Sequence, residues 1–336
     1  MMKPISHRTE EPKIVVIGGG TGLSTMLRGL KRYTNDLTAI VTVADDGGGS
    51  GVLRDELNMP PPGDIRNCIQ ALANTESTME RMLSYRFTEG SLKGQCFGNL
   101  FLAALNGMCH SFDQAVAKMG EVLAITGRVL PVTNENVGLI ADFDDGTTIY
   151  GESKISAYKE KTDSRIIRVR LSPERPAALP ASLEAIKRAE MIVLGPGSLY
   201  TSIIPNLLVE GISEAIEASS AVRVYVLNVM TQEGETENYT ASDHIRALMK
   251  HARKRNLFEI CLANDFPIPQ EVVLRYQEQG AALMTVDQHE ISRLGVQTIF
   301  APVADGYNGR ARHDPDLLAC ELMKIFRTMT PTRIYR

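Results

Sequence analysis

Cysteine is scarce in this 336-residue chain and badly placed for chemistry. The five cysteines (Cys68, Cys96, Cys109, Cys261 and Cys320) are scattered, odd in number and never spaced as CxxC. That pattern excludes a disulfide framework and a cysteine-held zinc, and reads as buried thiols in a reducing compartment. The six histidines form no HxxxH or HExxH pair, so a catalytic zinc finds no ligands among them. No GxxxxGK[ST] sequence exists, which sets aside a P-loop NTPase. Ser50 is followed by Gly51 and then Val52, so no GxSxG nucleophile elbow is present. There is no Lys/Arg-rich block, and 40 acidic against 36 basic residues leave a net charge of −4, which argues against a nucleic-acid partner. No apolar stretch approaches the ~20 residues of a membrane span. Residues 1–12 are polar, without an apolar signal core, and read as a flexible segment ahead of a cytoplasmic protein.

What the chain does have is glycine, concentrated where strands end. The apolar run from Lys13 to Ile17 enters Gly18-Gly19-Gly20-Thr21-Gly22, and then Leu23, Met26, Leu27 and Leu30 recur at helical spacing. A strand, a tight turn and a helix N-terminus in succession offer bare amides and the positive end of a helix dipole to a phosphate. As a dinucleotide fingerprint the loop is incomplete. Counted from Gly18, Leu23 stands in the third glycine slot; counted from Gly20, Thr25 does.

Further elements follow the same alternation. Strand Leu37–Val43 succeeds helix Ser24–Arg32. Later, helices Pro180–Ala189, Pro205–Ala218, Ala241–Arg253, Gln270–Gln279 and Pro315–Thr328 are interleaved with strands Met191–Leu194, Arg223–Leu227, Phe258–Leu262 and Val296–Pro302. Strands of this kind separated by helices predict an α/β fold: a three-layer, Rossmann-like, mostly parallel sheet with helices on both faces. The middle differs. Asp64 to Ile125 reads as helical, and Val137–Asp142 and Thr147–Tyr150 flank the turn Asp144-Asp145-Gly146 as a hairpin. One domain over residues 13–330, with a helical and hairpin insertion at about 64–160, is the expectation.

Two more glycine loops carry candidate chemistry. Asp45-Asp46-Gly47-Gly48-Gly49-Ser50-Gly51 lies at a strand's C-terminal end, where open α/β sheets bind ligands. The two carboxylates there suit Mg²⁺, a ribose hydroxyl or a base, or simply an Asx turn. Neighbouring strand residues face opposite ways, which gives the two aspartates different partners unless the chain turns between them. Gly195-Pro196-Gly197-Ser198-Leu199-Tyr200-Thr201-Ser202 is a second strand–turn–helix junction, with Ser198, Thr201 and Ser202 as hydroxyl donors for a phosphate or as an N-cap. Lesser clusters are Gly63-Asp64-Ile65-Arg66-Asn67, Gly98-Asn99, and Arg310-Ala311-Arg312-His313, whose guanidinia have the fork geometry for phosphate.

Taken in order, the motifs Gly18–Gly22, Asp45–Gly51, Pro62–Asn67, Gly98–Leu100 and Leu194–Ser202 resemble the gluconeogenesis-factor family. That family is a branch of the 2-phospho-L-lactate transferase (CofD-like) superfamily, and the resemblance runs from about Lys13 to Arg327. It implies a Rossmann-like domain forming a homodimer in the bacterial cytoplasm, with a UDP-sugar or nicotinamide dinucleotide as ligand. It also implies a role in growth on gluconeogenic carbon sources and in cell-shape or cell-wall maintenance, with a cell-wall synthesis protein as partner. On the matching positions Gly20, Thr21, Asp45, Asp46, Asn99 and Gly197 to Ser202 would line the cleft, with Arg310–His313 near the sugar or base. The superfamily's transferases move a phospho-lactyl group from a nucleotide diphosphate donor to a deazaflavin with Mg²⁺. They carry Ser-Asn-Pro where Gly197-Ser198-Leu199 stand here, so this chain departs from that branch.

The expected ligand-binding set is therefore Gly19, Gly20, Thr21, Gly22, Asp45, Asp46, Asn67, Asn99, Gly195, Gly197, Ser198, Thr201, Ser202, Arg310 and Arg312, with Asp45 and Asp46 holding Mg²⁺. The favoured function is a nucleotide-binding factor without an assigned catalytic residue. A Mg²⁺-assisted transferase using a nucleotide-diphosphate donor is the alternative, and an NAD(P)-dependent oxidoreductase stands third.

Overall fold

A computed structural model describes residues 11–159, 161–306 and 309–334. β1 (Ile14–Gly18), α1 (Gly20–Leu30) and β2 (Leu37–Val41) form the first strand–helix–strand unit. Helices α2 (Gly48–Leu57), α3 (Gly63–Leu72), α4 (Ser77–Ser84), α5 (Phe97–Met108) and α6 (Phe112–Val122) lead to β3 (Arg128–Pro131). Next come β4 (Gly138–Phe143), β5 (Thr148–Tyr150), α7 (Glu152–Lys159), β6 (Ile166–Ser172) and α8 (Pro180–Arg188). β7 (Met191–Leu194) runs into a π-helical turn over Leu199–Ile203, then α9 (Ile204–Leu207), α10 (Ile212–Ala218) and β8 (Val222–Val226). The remainder is α11 (Ala241–Ala252), β9 (Ile260–Asn264), α12 (Gln270–Gln277), α13 (Gln288–Arg293), β10 (Gln297–Ala301), β11 (Ala304–Asp305), β12 (Arg312–His313) and α14 (Pro315–Ile334).

Seven strands make the central sheet in the order β10-β9-β8-β7-β1-β2-β3, every neighbouring pair parallel. Every residue of β1, β2 and β7 is buried, as expected for Val/Ile-rich strands covered on both faces. Leu23, Met26, Leu27 and Leu30 are the buried stripe of α1, which packs against α3 and α14. The Rossmann-like α/β reading is correct. Right-handed crossovers put α1 on one face and α9–α10 on the other, because the chain leaves β1 toward β2 but leaves β7 toward β8. β1 and β7 are adjacent, so the strand order reverses between them, and a crevice opens beyond their C-terminal ends.

Three local differences from the sequence reading have clear causes. β3 joins the main sheet beside β2, so the stretch 64–160 does not form one continuous insertion. Helices α2–α6 bridge β2 to β3, and a separate antiparallel sheet, β5-β4-β6, follows. The expected hairpin is present, with Asp142 opposite Thr148 and Gly146 in the turn at φ +87°, but β6 adds a third strand. The helix expected over Pro205–Ala218 is divided into α9 and α10, since Gly211 at φ +87° takes a conformation that interrupts the helix. No helix among the described residues is long and apolar enough to cross a membrane.

Candidate functional site

The loops after β1 and β7 meet. A Cβ built on Gly22 would lie 2.7 Å from the Pro196 carbonyl oxygen, and one on Gly197 would lie 3.2 Å from the Gly19 oxygen. Only glycine lets the two backbones approach this closely. Buried Asn206, on α9, clamps the junction: its Nδ2 donates to the Gly18 carbonyl at 3.1 Å and to that of Ser202 at 2.8 Å. Asn228, just beyond β8, fixes the second loop from the other side. It accepts from the Gly197 N–H at 3.2 Å and donates to the Gly197 carbonyl at 2.8 Å. Ser198 Oγ donates to Gln232 Oε1 at 2.7 Å.

These residues wall a cleft of about 340 Å³. Gly20, Thr21 and Gly22 line it from the N-terminus of α1, Gly197, Ser198 and Ser202 from the second loop, and Arg312 and His313 from β12. Burial pushes the His313 imidazole down to about 4, so the ring is neutral, and its Nε2 is buried without a hydrogen-bond partner. Arg310 is exposed and outside this lining. Gly195 serves as the turning residue at φ +73°, also outside the lining.

Thr201 faces elsewhere. Its hydroxyl donates to Glu235 Oε1 at 2.6 Å, and the Tyr200 N–H donates to Glu235 Oε2 at 3.1 Å. Glu235 is 2% exposed, and burial pushes its carboxyl up to about 7. An internal carboxylate thus takes the amides that open the π-helical turn, the place where an exogenous anion was expected. Asp64 does the same at α1 by accepting the Gly20 N–H. Protein atoms crowd Asp64, and the lost hydration raises its carboxyl to about 6, with the Asp45 charge adding to the effect.

Beyond Asp64 lies a second depression of about 310 Å³, where α2 and α3 begin. Asp45, Asp64, Asn67, Asn99, Arg66 and Arg86 line it. Asp45 Oδ1 accepts the Gly47 N–H at 2.8 Å, and Asn67 bonds Asp64. Asn99 is held between Arg66 Nε at 3.2 Å and Ser50 Oγ at 3.4 Å. The two adjacent aspartates diverge. Asp46 Oδ1 accepts the Ser153 N–H at 2.8 Å and so anchors the start of α7. That contact brings Glu152 beside Asp45; burial first, then the neighbouring carboxylates, push Glu152 up to about 8.

Among the described residues, no three carboxylate, histidine or cysteine side chains converge into a metal cage. The oxygen donors at Asp45 and Asp64 nevertheless fit Mg²⁺ in its usual role, in which one or two carboxylates and the ligand's phosphates share the ion. Asp64, Glu152, Glu235, Asn228 and Gln232 went unassigned as site residues in the sequence. Asp64 had a signal in the Pro62–Asn67 motif, and Asn228 and Gln232 had one in their position beyond the C-terminal end of a strand, whereas Glu152 and Glu235 had none.

Residues 14–304 match the family described as 2-phospho-L-lactate transferase CofD. The chain belongs to the gluconeogenesis-factor branch of the CofD family. It is 54% identical over 312 residues to a Thermoanaerobacterium thermosulfurigenes protein that carries the gluconeogenesis-factor name, covering 93% of this chain and 96% of that one. It is 44% identical over 319 residues to the gluconeogenesis factor of Bacillus subtilis, covering 95% and 99%. The crystal structure of protein BH3568 from Bacillus halodurans superposes with a TM-score of 0.90 at 43% identity, covering 94% of this chain and 100% of that one. The CofD-family match spans both glycine loops and the Asp45 depression, but ends before Arg312 and His313.

Proposed function

We propose that this chain binds a nucleotide-type ligand, a UDP-sugar or a nicotinamide dinucleotide, in the cleft between the β1 and β7 loops. The observation that carries the reading is the contact of the Gly19–Gly22 and Pro196–Gly197 backbones at the reversal of strand order. Thr21, Gly22, Gly197, Ser198 and Ser202 then meet the diphosphate, and Arg312 and His313 meet the sugar or base. The relatives' gluconeogenesis-factor name supports a role in growth on gluconeogenic carbon sources; a cytoplasmic homodimer that also maintains cell shape, with a partner in cell-wall synthesis, completes the proposal. Native mass spectrometry of the purified protein, followed by calorimetry with UDP-N-acetylglucosamine and with NADP⁺, tests the ligand class. Absence of heat with both, on folded protein, removes it.

The Asp45 depression favours a second reading, a transferase acting on a nucleotide-diphosphate donor. Asp45 and Asp64 stand beside Arg66 and Arg86, so one hollow offers both cation-holding and phosphate-holding groups. Mg²⁺, when bound, neutralises charge developing on a leaving diphosphate. Arg66 and Arg86 hold phosphate oxygens, while Asn67 and Asn99 keep Asp64 and Arg66 oriented. This reading expects slow turnover that stops on Asp45→Asn. Mass spectrometry showing an intact donor after hours of incubation with folded protein and Mg²⁺ rejects it.

A further inference from the structure

We propose that the pole opposite the cleft carries a docking surface for an acidic segment of a protein partner. α11 takes the chain from the C-terminal end of β8 to the N-terminal end of β9, so its last turn lies far from the glycine loops. Two depressions of about 680 and 530 Å³ adjoin there and share Lys250 and Arg253. The first is edged by Arg168 and Arg170 of β6, and its far wall carries Arg175 together with Glu174, Glu210 and Glu214. The second has Arg246, Arg255 and Arg293 around Met249 and Leu294, with no carboxylate in its lining.

Part of this charge is neutralised in place. Arg170 pairs with Asp142 at 2.7 Å, Arg246 with Asp243 at 3.1 Å, and Arg293 with Glu290 at 2.8 Å. Lys250 Nζ donates to the Ile167 carbonyl at 2.8 Å. Arg168, Arg253 and Arg255 are exposed and have no ion pair among the described residues. Basic residues in the last turn of a helix are favoured by its dipole. The dipole of α11 does not explain why Arg168 from β6 and Arg293 from α13 converge on the same place. The chain's own carboxylates neutralise Arg170, Arg246, Arg293 and Lys254, which leaves Arg168, Arg253 and Arg255 to take a counter-charge from outside.

The shape narrows the class. Guanidinium forks take carboxylates two bonds at a time. Met249, Leu294, Leu207 and Val209 give the hollows partly apolar walls, and none of these four is exposed. The lining itself exposes no apolar side chain, and Ile167 beside Arg168 is a single exposed one; such a surface suits a chain segment carrying Asp or Glu better than a bilayer, which an interfacial binder enters with a set of exposed apolar groups.

Fluorescence anisotropy with labelled poly-L-glutamate tests this on the full chain. The variant is Arg168→Gln/Arg253→Asn/Arg255→Gln; Asn suits position 253 because that residue sits at φ +54°. A control, Lys118→Gln/Arg188→Gln/Lys324→Gln, removes the same charge elsewhere on the surface. The expected result is binding by the native chain, a loss of about tenfold or more in the first variant and near-native affinity in the control. Unchanged thermal melts show that both variants remain folded. No binding by the native chain, or equal loss in both variants, overturns the proposal. So does variant-sensitive binding to phosphatidylglycerol vesicles or duplex DNA without binding to poly-L-glutamate.

Discussion

A methyl group added at Gly22 would meet the Pro196 carbonyl oxygen at 2.7 Å and its carbon at 3.0 Å. Both are backbone atoms, so the clash is relieved only by moving one loop away from the other. Gly22 is the third residue of α1 and does not have a positive φ, so Gly22→Ala should by itself gain ~0.5–1 kcal/mol from helix propensity. Overpacking costs ~1–3 kcal/mol, toward the upper end where backbone must shift. The net expectation is a loss of ~1–2 kcal/mol. At about 2.1 cal/mol/K per residue, 336 residues give an unfolding entropy of roughly 0.7 kcal/mol/K, so Tm falls by about 1.5–3 °C. Gly107→Ala, in α5 with nothing within 4 Å of the new methyl, isolates propensity alone and should raise Tm by about 1 °C. Circular-dichroism melts of the two variants make the comparison, and calorimetry with UDP-N-acetylglucosamine should show weaker binding for Gly22→Ala only. A Gly22→Ala protein that melts as high as Gly107→Ala refutes the loop contact.

Asn228→Ala leaves the Gly197 N–H and carbonyl without their partner, and should cost about 1–3 kcal/mol by chemical denaturation while weakening nucleotide binding. Arg312→Ala should raise the nucleotide Kd about tenfold by calorimetry and Arg310→Ala should leave it unchanged, since only Arg312 lines the cleft. Equal effects of the two substitutions would contradict the placement. Glu152 and Glu235 keep protons in the folded chain up to about pH 8 and 7, which the unfolded chain gives up near 4.5. Their contribution to stability is therefore full below about pH 4.5 and lost as pH rises through 7 to 8. Below pH 6.5, His244 and His313, both lowered to about 4, act in the opposite sense. The clear window is thus pH 6.5–8, where Tm should decline and Glu235→Gln should flatten the decline; a level native profile there refutes it.

Much of the scaffold was legible because it depends on neighbours. β-branched runs, glycine at the turns and the 3.6-residue spacing of Leu23, Met26, Leu27 and Leu30 set strand, loop and helix within a few positions of one another. The part that misled was also local. Thr201 looked like a phosphate donor because hydroxyls at a helix start often are, yet its partner is Glu235, 34 residues on. Asp45 and Asp46 were expected to have different partners unless the chain turned between them, and they do, but nothing local named the Asp46 partner, Ser153, 107 residues away. β6 and α7 escaped notice because neither has a clean period: α7 buries only Ile155 and Lys159, and β6 alternates imperfectly.

Residue order alone was enough for the class of fold, the positions of the glycine loops and the family they resemble. Those properties follow from short-range sterics and from periodic burial, which a window of some dozen residues contains. Strand order, the meeting of the β1 and β7 loops, and the internal carboxylates at two helix starts were decided only when the sheet assembled. The Asn206–Gly18 bond joins groups 188 residues apart, and no local preference encodes such a pairing. It arises because buried amides and carbonyls must find partners somewhere in the packed chain, and packing determines which partners are within reach.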